Sequence, residues 1–268
     1  MQMLSQPRIV AARSGQTWLP AGFRLFHRQP LAWTLILFVY WASMLIMAFI
    51  PMLGSVLPLL IAPGLSMGFI EIARAVDEGR PPSPPLLVSA FRSPRAKAVL
   101  MLGVWYALEI VAILLFSVMI DGGLLLDWIT SASMPGPEKI GDMQRAAAVS
   151  VLLYVPVMMS FWFAPQLVVW SGFSPLKALF FSFFAVWRNL GAFLRYALIW
   201  VLITVGIALL SSLIGSGLDL GGETMTAFLF PITLILMAVA HGSFYQSTRD
   251  IFGVSDQEPS PAADDAAP

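Results

Sequence analysis

A long uncharged stretch constrains this chain more than any other feature. From Leu31 to Phe69 the sequence contains no charged residue. A single helix over that stretch would be about 60 Å long, about twice the thickness of the bilayer hydrocarbon core. The stretch must therefore fold back on itself, and Pro51 and Gly54 favour a break between its halves. We predict two membrane spans here, over residues 31–50 and 52–70.

The rest of the chain has the same character. Hydrophobic residues make up 58% of it and charged residues only 11%, whereas a soluble domain carries about 25% charged residues. The pattern predicts an all-α fold, a polytopic membrane bundle of about six transmembrane helices arranged as three hairpins. The first apolar run is expected to be a retained span and not a signal peptide. The four further spans are predicted over residues 98–120, 146–170, 196–214 and 224–245.

The basic residues are sorted along the chain. Of the 15 Lys and Arg residues, only Lys139 and Arg145 fall in the loops that follow spans one, three and five. The other thirteen lie in the N-terminal segment, the two loops after spans two and four, and the C-terminal tail. By the positive-inside rule these thirteen face the cytoplasm. We therefore expect a bacterial inner-membrane protein with both termini cytoplasmic: an N-terminal segment 1–30, a transmembrane domain 31–245 and a tail 246–268 that is mostly disordered.

A short basic segment precedes each predicted hairpin, over residues 18–29, 86–97 and 174–195. These segments are interpreted either as interfacial helices under anionic lipid headgroups or simply as positive-inside anchors. With prolines in the second helix of every hairpin, they suggest a threefold repeat, although shared physics alone could produce the similarity. The candidate headgroup-binding residues are Arg24, Arg28, Lys177, Arg188 and Arg195.

Glu109 is the acidic residue placed where charge is most costly. It lies eleven residues from either end of predicted span three, near the bilayer midplane, where a charge costs about 2.5–3.5 kcal/mol on insertion scales. It is either a carrier of a proton or cation, or a protonated carboxyl that sets helix packing. His241 is expected near the cytoplasmic interface and not beside Glu109. The candidate hydroxyl partners at the depth of Glu109 are Ser160, Thr204 and Thr233.

Prolines and glycines inside the spans mark candidate sites of helix breaks or close packing. Pro58, Pro63, Gly64 and Gly68 lie in predicted span two, and the two glycines form a G-x-x-x-G pattern. That pattern favours close helix packing, with a flexible helix lining a cavity as the alternative. The further prolines of this kind are Pro156, Pro165 and Pro231.

Several function classes lack support in the sequence. The chain contains no cysteine and only two histidines, so we expect no metal site and no cofactor. Nucleotide-binding glycine motifs and the G-x-S-x-G and H-E-x-x-H patterns are missing, and the loops are too short for a soluble catalytic domain. We therefore expect a protein that is not an enzyme and does not bind nucleic acid. The lipid bilayer is the expected partner, and membrane-protein partners are left open.

Five stretches of the sequence resemble an uncharacterised family of six-helix proteobacterial inner-membrane proteins. The resemblance extends over residues 18–252 and implies the same membrane architecture, with no activity, substrate or catalytic residue. The stretches are Ala21 to Trp33, Ala73 to Gly79, Trp162 to Pro165, Ser182 to Asn189 and Arg249 to Phe252.

Two functions are therefore weighed. The first is a non-enzymatic scaffold, assembly factor or lipid-associated component, favoured by the short loops and the basic interfacial segments. The alternative is a small-solute or ion transporter that uses the intramembrane carboxyl of Glu109 and the proline-interrupted helices. Whether a cavity reaches Glu109 is the structural observation that best separates them.

Overall fold

The computed structural model describes residues 6–50 and 54–253, and every regular element within them is a helix. The α-helices are α1 (Gly15–Arg28), α2 (Pro30–Ala48), α3 (Leu57–Asp77), α4 (Ala96–Asp121), α5 (Leu124–Ser131), α6 (Ile140–Phe161), α7 (Ala164–Ser171), α8 (Pro175–Arg188), α9 (Leu190–Gly217) and α10 (Gly222–Phe252). Three 3-10 helices accompany them, at Ala12–Ser14, Pro84–Arg92 and Pro137–Lys139.

Six helical segments of this described part are long and apolar enough to cross a membrane. They are α2, α3, α4, the stretch Pro137–Ser171 that contains α6 and α7, α9 and α10. The predicted all-α bundle of six spans in three hairpins is therefore confirmed. Helix α3 is the most buried span, whereas α9 is the least buried.

The second span lies later in the chain than predicted. Helix α3 begins at Leu57, with Pro58 in its first turn, and continues to Asp77 instead of ending near residue 70. The extension packs in the core through Ile72, Ala73, Ala75 and Val76, and Arg74 adds ion pairs with Glu71 and Glu78, one turn away on either side. Gly54 lies in the turn before the helix, and its amide donates to the carbonyl of Ile50 at 2.9 Å. The break predicted at Pro51 lies outside the described residues.

The sixth span is also longer than predicted. Helix α10 continues past residue 245 to Phe252, so residues 246–252, which were assigned to the tail, are helical. Ser247, Thr248 and Ile251 are buried, and this packing explains why polar residues continue the helix. The disorder predicted for residues 254–268 lies outside the described part of the chain.

The other spans differ in smaller ways. The fourth is interrupted, because α6 ends at Phe161 and α7 begins at Ala164. The fifth begins at Leu190 instead of residue 196, so the third basic segment is α8 alone and Arg195 belongs to the second turn of the span. The second basic segment folds as the 3-10 helix Pro84–Arg92, and Lys97 is already part of α4.

The three basic segments pack in cyclic order. Helix α1 packs against α10, the 3-10 helix Pro84–Arg92 packs against α3, and α8 packs against α6 and α7. Each segment thus contacts the second helix of the hairpin before it, and the first segment contacts the last hairpin. The segments are therefore part of the packed protein and close the bundle at one end.

Helix α1 shows how tight this packing is. A Cβ atom on Gly22 would lie 2.4 Å from the carbonyl oxygen of Val239, so α1 and α10 touch through their backbones. Trp18 is buried one turn earlier, and its indole nitrogen donates to a carboxylate oxygen of Asp250 at 3.0 Å. The ring of Trp18 also lies edge-on to Phe193 of α9, with centroids 5.1 Å apart. One face of α1 is therefore part of the core, whereas Arg24 and Arg28 are exposed on another face of the same helix.

Candidate functional site: a central cavity and a lateral groove

Two adjoining cavities lie between the spans and share Ala62, Ser66 and Tyr106 as lining residues. Each has a volume of about 260 Å³. We call the pair the central cavity. Tyr106 lies ten residues into α4, which places it about 15 Å from the start of that helix and thus near mid-membrane. Its further lining residues include Tyr40, Pro58, Pro63, Tyr154, Trp162, Pro165, His241 and Phe244.

Hydroxyl groups face one another in this cavity. The hydroxyl oxygens of Tyr106 and Tyr154 are 3.2 Å apart, so one donates a hydrogen bond to the other. This pair joins α4 to α6. In addition to the tyrosine pair, the cavity has the hydroxyls of Ser66 and Tyr40 in its wall. A hydroxyl can both donate and accept, so the cavity offers uncharged hydrogen-bonding groups at a depth where water is scarce.

His241 completes the polar lining. Its Nδ1 lies 2.8 Å from the carbonyl oxygen of Met237. Because a carbonyl can only accept, Nδ1 is the donor and Nε2 is left as an acceptor. The ring packs on Phe69 with centroids 3.9 Å apart. His241 lies eleven residues, about 16 Å, before the end of α10, and its expected position near the cytoplasmic interface stays a prediction.

A third cavity, the lateral groove, lies between α6, α8, α9 and α10 and has a volume of about 470 Å³. Helix α9 is buried only near its start, at Ala192, Phe193 and Tyr196, and the groove lies against this part of the helix. The lining is apolar apart from Tyr196, Trp162 and Trp200, and the Tyr196 hydroxyl is engaged with Ser243 at 2.5 Å. The lining residues include Val155, Met158, Met159, Trp162, Leu190, Ala197 and Phe244.

A network of ion pairs lies at the end of the bundle where the basic segments pack, which we call the basic face. Asp77 at the end of α3 accepts from Arg28 at 3.3 Å, from the hydroxyl of Tyr245 at 3.2 Å and from Arg249. These contacts join α1, α3 and α10. Glu71, also on α3, accepts from the indole nitrogen of Trp170 at 2.6 Å and so links α3 to α7.

The network ends in the loop after α3. Glu78 accepts from Arg74 at 2.7 Å and from Arg80 at 2.8 Å. Partial burial opposes ionisation of Glu78, but the hydrogen bonds from Arg80 and Arg74 and their positive charges outweigh it and lower the pKa of this carboxyl below its ordinary value. The acidic side chains at this end therefore serve as ion-pair partners and hold four helices in register.

Glu109 lies apart from these features. It lines neither the central cavity nor the lateral groove. Its Oε2 atom is buried and has no hydrogen-bond partner among the described residues. The three predicted hydroxyl partners bond to their own helices, Ser160 to the carbonyl of Pro156, Thr204 to that of Trp200 and Thr233 to that of Leu229. The structure therefore does not bring the four intramembrane polar candidates together.

The helix-breaking candidates fall into two groups. Pro58, Pro63 and Pro165 line the central cavity. Pro156 and Pro231 lie exposed within α6 and α10, which continue through them.

The glycine pair has a packing role. A Cβ atom on Gly64 would lie 2.2 Å from the ring of Phe91, and one on Gly68 would lie 2.2 Å from the carbonyl oxygen of Leu87. The glycines of α3 therefore let the 3-10 helix Pro84–Arg92 approach closely, while prolines of the same helix face the cavity.

The headgroup candidates are all exposed at the basic face, but they differ in their partners. Arg28 pairs with Asp77, and the Nζ atom of Lys177 lies 4.2 Å from the ring centroid of Phe173. Across the part of the chain that the structure describes, no ion pair involves Arg24, Arg188 or Arg195. The charges of these three candidates are therefore less engaged than that of Arg28.

Sequence reasoning missed the central cavity. Three of the five tyrosines, Tyr40, Tyr106 and Tyr154, line it. A signal was present, because tyrosine normally concentrates at the membrane interface and Tyr106 lies well inside a span. The lateral groove had no such signal, because it depends on the angle at which α9 leaves the bundle.

The fold and these sites define the class: a polytopic helical membrane protein with a closed end that carries ion pairs. No protein-family model matches the chain, and no solved structure matches it. The chain is 35% identical over 257 residues to a probable inner membrane protein of Burkholderia thailandensis, an alignment that covers 93% of this chain and 94% of that protein. The chain belongs to the family of that protein, and the resemblance to inner-membrane proteins seen in the sequence is confirmed. It is a multi-pass protein of the inner membrane.

Proposed function

We propose that this protein is a non-enzymatic, lipid-associated component of the inner membrane that binds anionic headgroups at its basic face. The observation that carries the proposal is the two-sided character of α8. One side of α8 is buried in the bundle at Ala178, Ser182 and Ala185. Its other side exposes Phe180, Phe181, Phe184 and Trp187, beside Lys177 and Arg188.

This combination is suited to a membrane interface. Exposed aromatic rings gain from insertion at the level of the headgroups, and cations beside them attract anionic lipids. A juxtamembrane Lys or Arg contributes about 1 kcal/mol to binding an anionic membrane surface. Because α8 is fixed by its buried side, its exposed side is presented without a cost for ordering the helix.

The proposal includes an orientation with both termini in the cytoplasm. The support is the distribution of charge, since thirteen of the 15 basic residues lie toward the basic face. Anionic lipids of the cytoplasmic leaflet are then the natural partners of these charges. Arg188 and Arg195 have no ion pair that would compete with such lipids, as far as the described chain shows.

Lipid binding by charge variants tests the proposal. The purified protein is compared with Lys177→Gln/Arg188→Gln in nanodiscs that contain phosphatidylglycerol or only phosphatidylcholine, and retained lipid is counted by native mass spectrometry. We expect the double variant to retain less phosphatidylglycerol and the same phosphatidylcholine. Lys139→Gln/Arg145→Gln is the matched control, because it removes one Lys and one Arg at the other end of the bundle. Equal phosphatidylglycerol retention by both double variants would contradict the proposal.

Transport through Glu109 is the alternative, and one observation favours it. The Oε2 atom of Glu109 is buried without a partner in the described chain, and such an atom could receive a proton or a cation. The scaffold or lipid-associated role has better support, because Glu109 lines neither the central cavity nor the lateral groove.

A further inference from the structure

We propose that the lateral groove and the central cavity form one binding site for a neutral lipid. The apolar tail lies in the groove, and an uncharged head that accepts hydrogen bonds lies beside Tyr106 and Tyr154. The site goes beyond the headgroup contacts proposed above and does not depend on them, because Lys177 and Arg188 are not part of its lining.

The two spaces adjoin each other. Met158, Trp162 and Phe244 line both the groove and the part of the central cavity that contains the tyrosine pair. The ring centroids of Trp162 and Phe244 are 4.5 Å apart, so these two side chains form one wall common to both spaces. An elongated molecule that extends from the groove to the hydroxyls would pass these three side chains.

The chemistry of the lining selects the ligand. No charged side chain lines the groove or the central cavity in the described residues. A charged head would lose its hydration there without a counter-charge, and that loss is costly. The hydroxyls of Tyr106, Tyr154 and Ser66 can donate, so the fitting head is neutral and carries carbonyl or ester oxygens.

The position of the groove favours a ligand that arrives through the membrane. The α9 residues that line the groove run from Leu190 to Trp200, the first eleven residues of this span. At the helical rise this region covers about 15 Å of depth, close to the thickness of one leaflet. Membrane lipid is the solvent at this depth, so a ligand that reaches the groove would arrive from within the bilayer. Prenylquinones and diacylglycerols share the required chemistry of a neutral, oxygen-bearing head on an apolar tail.

Filling the groove tests the site. The full-length protein in delipidated detergent micelles is titrated with decyl-benzoquinone, with dioleoylglycerol and with dioleoyl phosphatidylglycerol as the anionic comparator, and bound ligand is measured by native mass spectrometry. Ala197→Trp places an indole in the groove and should reduce affinity for a neutral lipid at least tenfold. Ala208→Trp is the matched control, because it makes the same change at an exposed position of the same helix outside the groove. Tyr106→Phe should weaken binding about threefold to tenfold, as expected for one lost hydrogen bond.

The three titrated lipids distinguish the two possible neutral ligands, and the variants show which results would contradict the site. Binding of the quinone alone or of the diacylglycerol alone supports the site and names its ligand. Binding of phosphatidylglycerol alone, or neutral-lipid binding that Ala197→Trp leaves unchanged, overturns it. If Ala197→Trp melts early, Ala197→Leu replaces it as a smaller filling, with the same two outcomes. Loss of phosphatidylglycerol binding in Lys177→Gln/Arg188→Gln concerns only the headgroup proposal.

Discussion

Ser182 of α8 bridges the break in the fourth span by bonding to Phe163. Its hydroxyl accepts from the backbone amide of Phe163 at 2.9 Å and donates to the carbonyl of Met159 at 2.8 Å. The serine is fully buried. A helix interruption inside a membrane leaves backbone groups that lipid cannot satisfy, and this side chain satisfies two of them.

Replacing Ser182 by alanine should therefore destabilise the bundle. The variant leaves one buried donor and one buried acceptor without a partner, and we expect the free energy of unfolding to fall by about 1–3 kcal/mol. Ser216→Ala, at an exposed position of α9, should change it by less than about 0.5 kcal/mol. The measurement is equilibrium unfolding in mixed micelles. Equal stability of the two variants would show that the break has another partner.

Gly22 should tolerate no side chain. Its Cβ would lie 2.4 Å from the backbone of α10, so Gly22→Ala forces two helices apart and should cost about 1–3 kcal/mol. Gly206→Ala is the matched control, because that helical glycine of α9 has open space around it and alanine should stabilise by up to about 1 kcal/mol. Thermal melting in detergent distinguishes the pair, and a stable Gly22→Ala would contradict the close contact between α1 and α10.

Glu109 variants separate the two functions. If the carboxyl has a structural role, Glu109→Gln keeps its size and hydrogen-bonding capacity and should preserve stability and any growth phenotype. Glu109→Leu should also have a modest effect, since interhelical hydrogen bonds in one measured membrane protein average about 0.6 kcal/mol. Melting temperature and growth are measured for both variants. A stable Gln variant that has lost activity would favour transport, because an amide cannot carry a proton.

Single cysteines report the orientation directly, because the native chain has none. In intact cells a membrane-impermeant thiol reagent should leave cysteines at Ser83 and Ser174 unlabelled and should label those at Ser131 and Ser216. Labelling after lysis verifies that all four thiols are accessible. The opposite pattern in intact cells would reverse the proposed orientation, and a mixed pattern would contradict the six spans.

The six-span architecture was predictable because bilayer thickness sets the length of each span, and the distribution of basic residues supports an even number of spans. The ends of the spans were not, because they depend on tertiary contacts. Glu71 and Asp77 read as the start of a loop until their pairing with Trp170, Arg28 and Arg249 is known. Residues 246–252 are a similar case. They are mostly polar, and only their burial shows that they continue α10.

The candidate site was less accessible to sequence reasoning. An isolated carboxyl such as that of Glu109 is costly in a membrane and therefore stands out in the sequence. A tyrosine in the same place has a small free-energy cost and does not stand out. Tyr106 and Tyr154 are 48 residues apart, and only packing of α4 against α6 brings their hydroxyls together. A groove along α9 is set by helix angles, which hydropathy does not contain.

The contact between Gly22 and Val239 also sets an order of assembly. The ribosome releases α1 first and α10 last, so the N-terminal helix must wait for nearly the whole chain before its principal neighbour exists. The other two basic segments meet α3 or α6 as soon as they emerge, because those helices precede them. Translation thus ends with the step that completes the cyclic packing of the three basic segments. A polypeptide that stops before Gly222 leaves the insertion machinery with α1 lacking its main packing partner, α10.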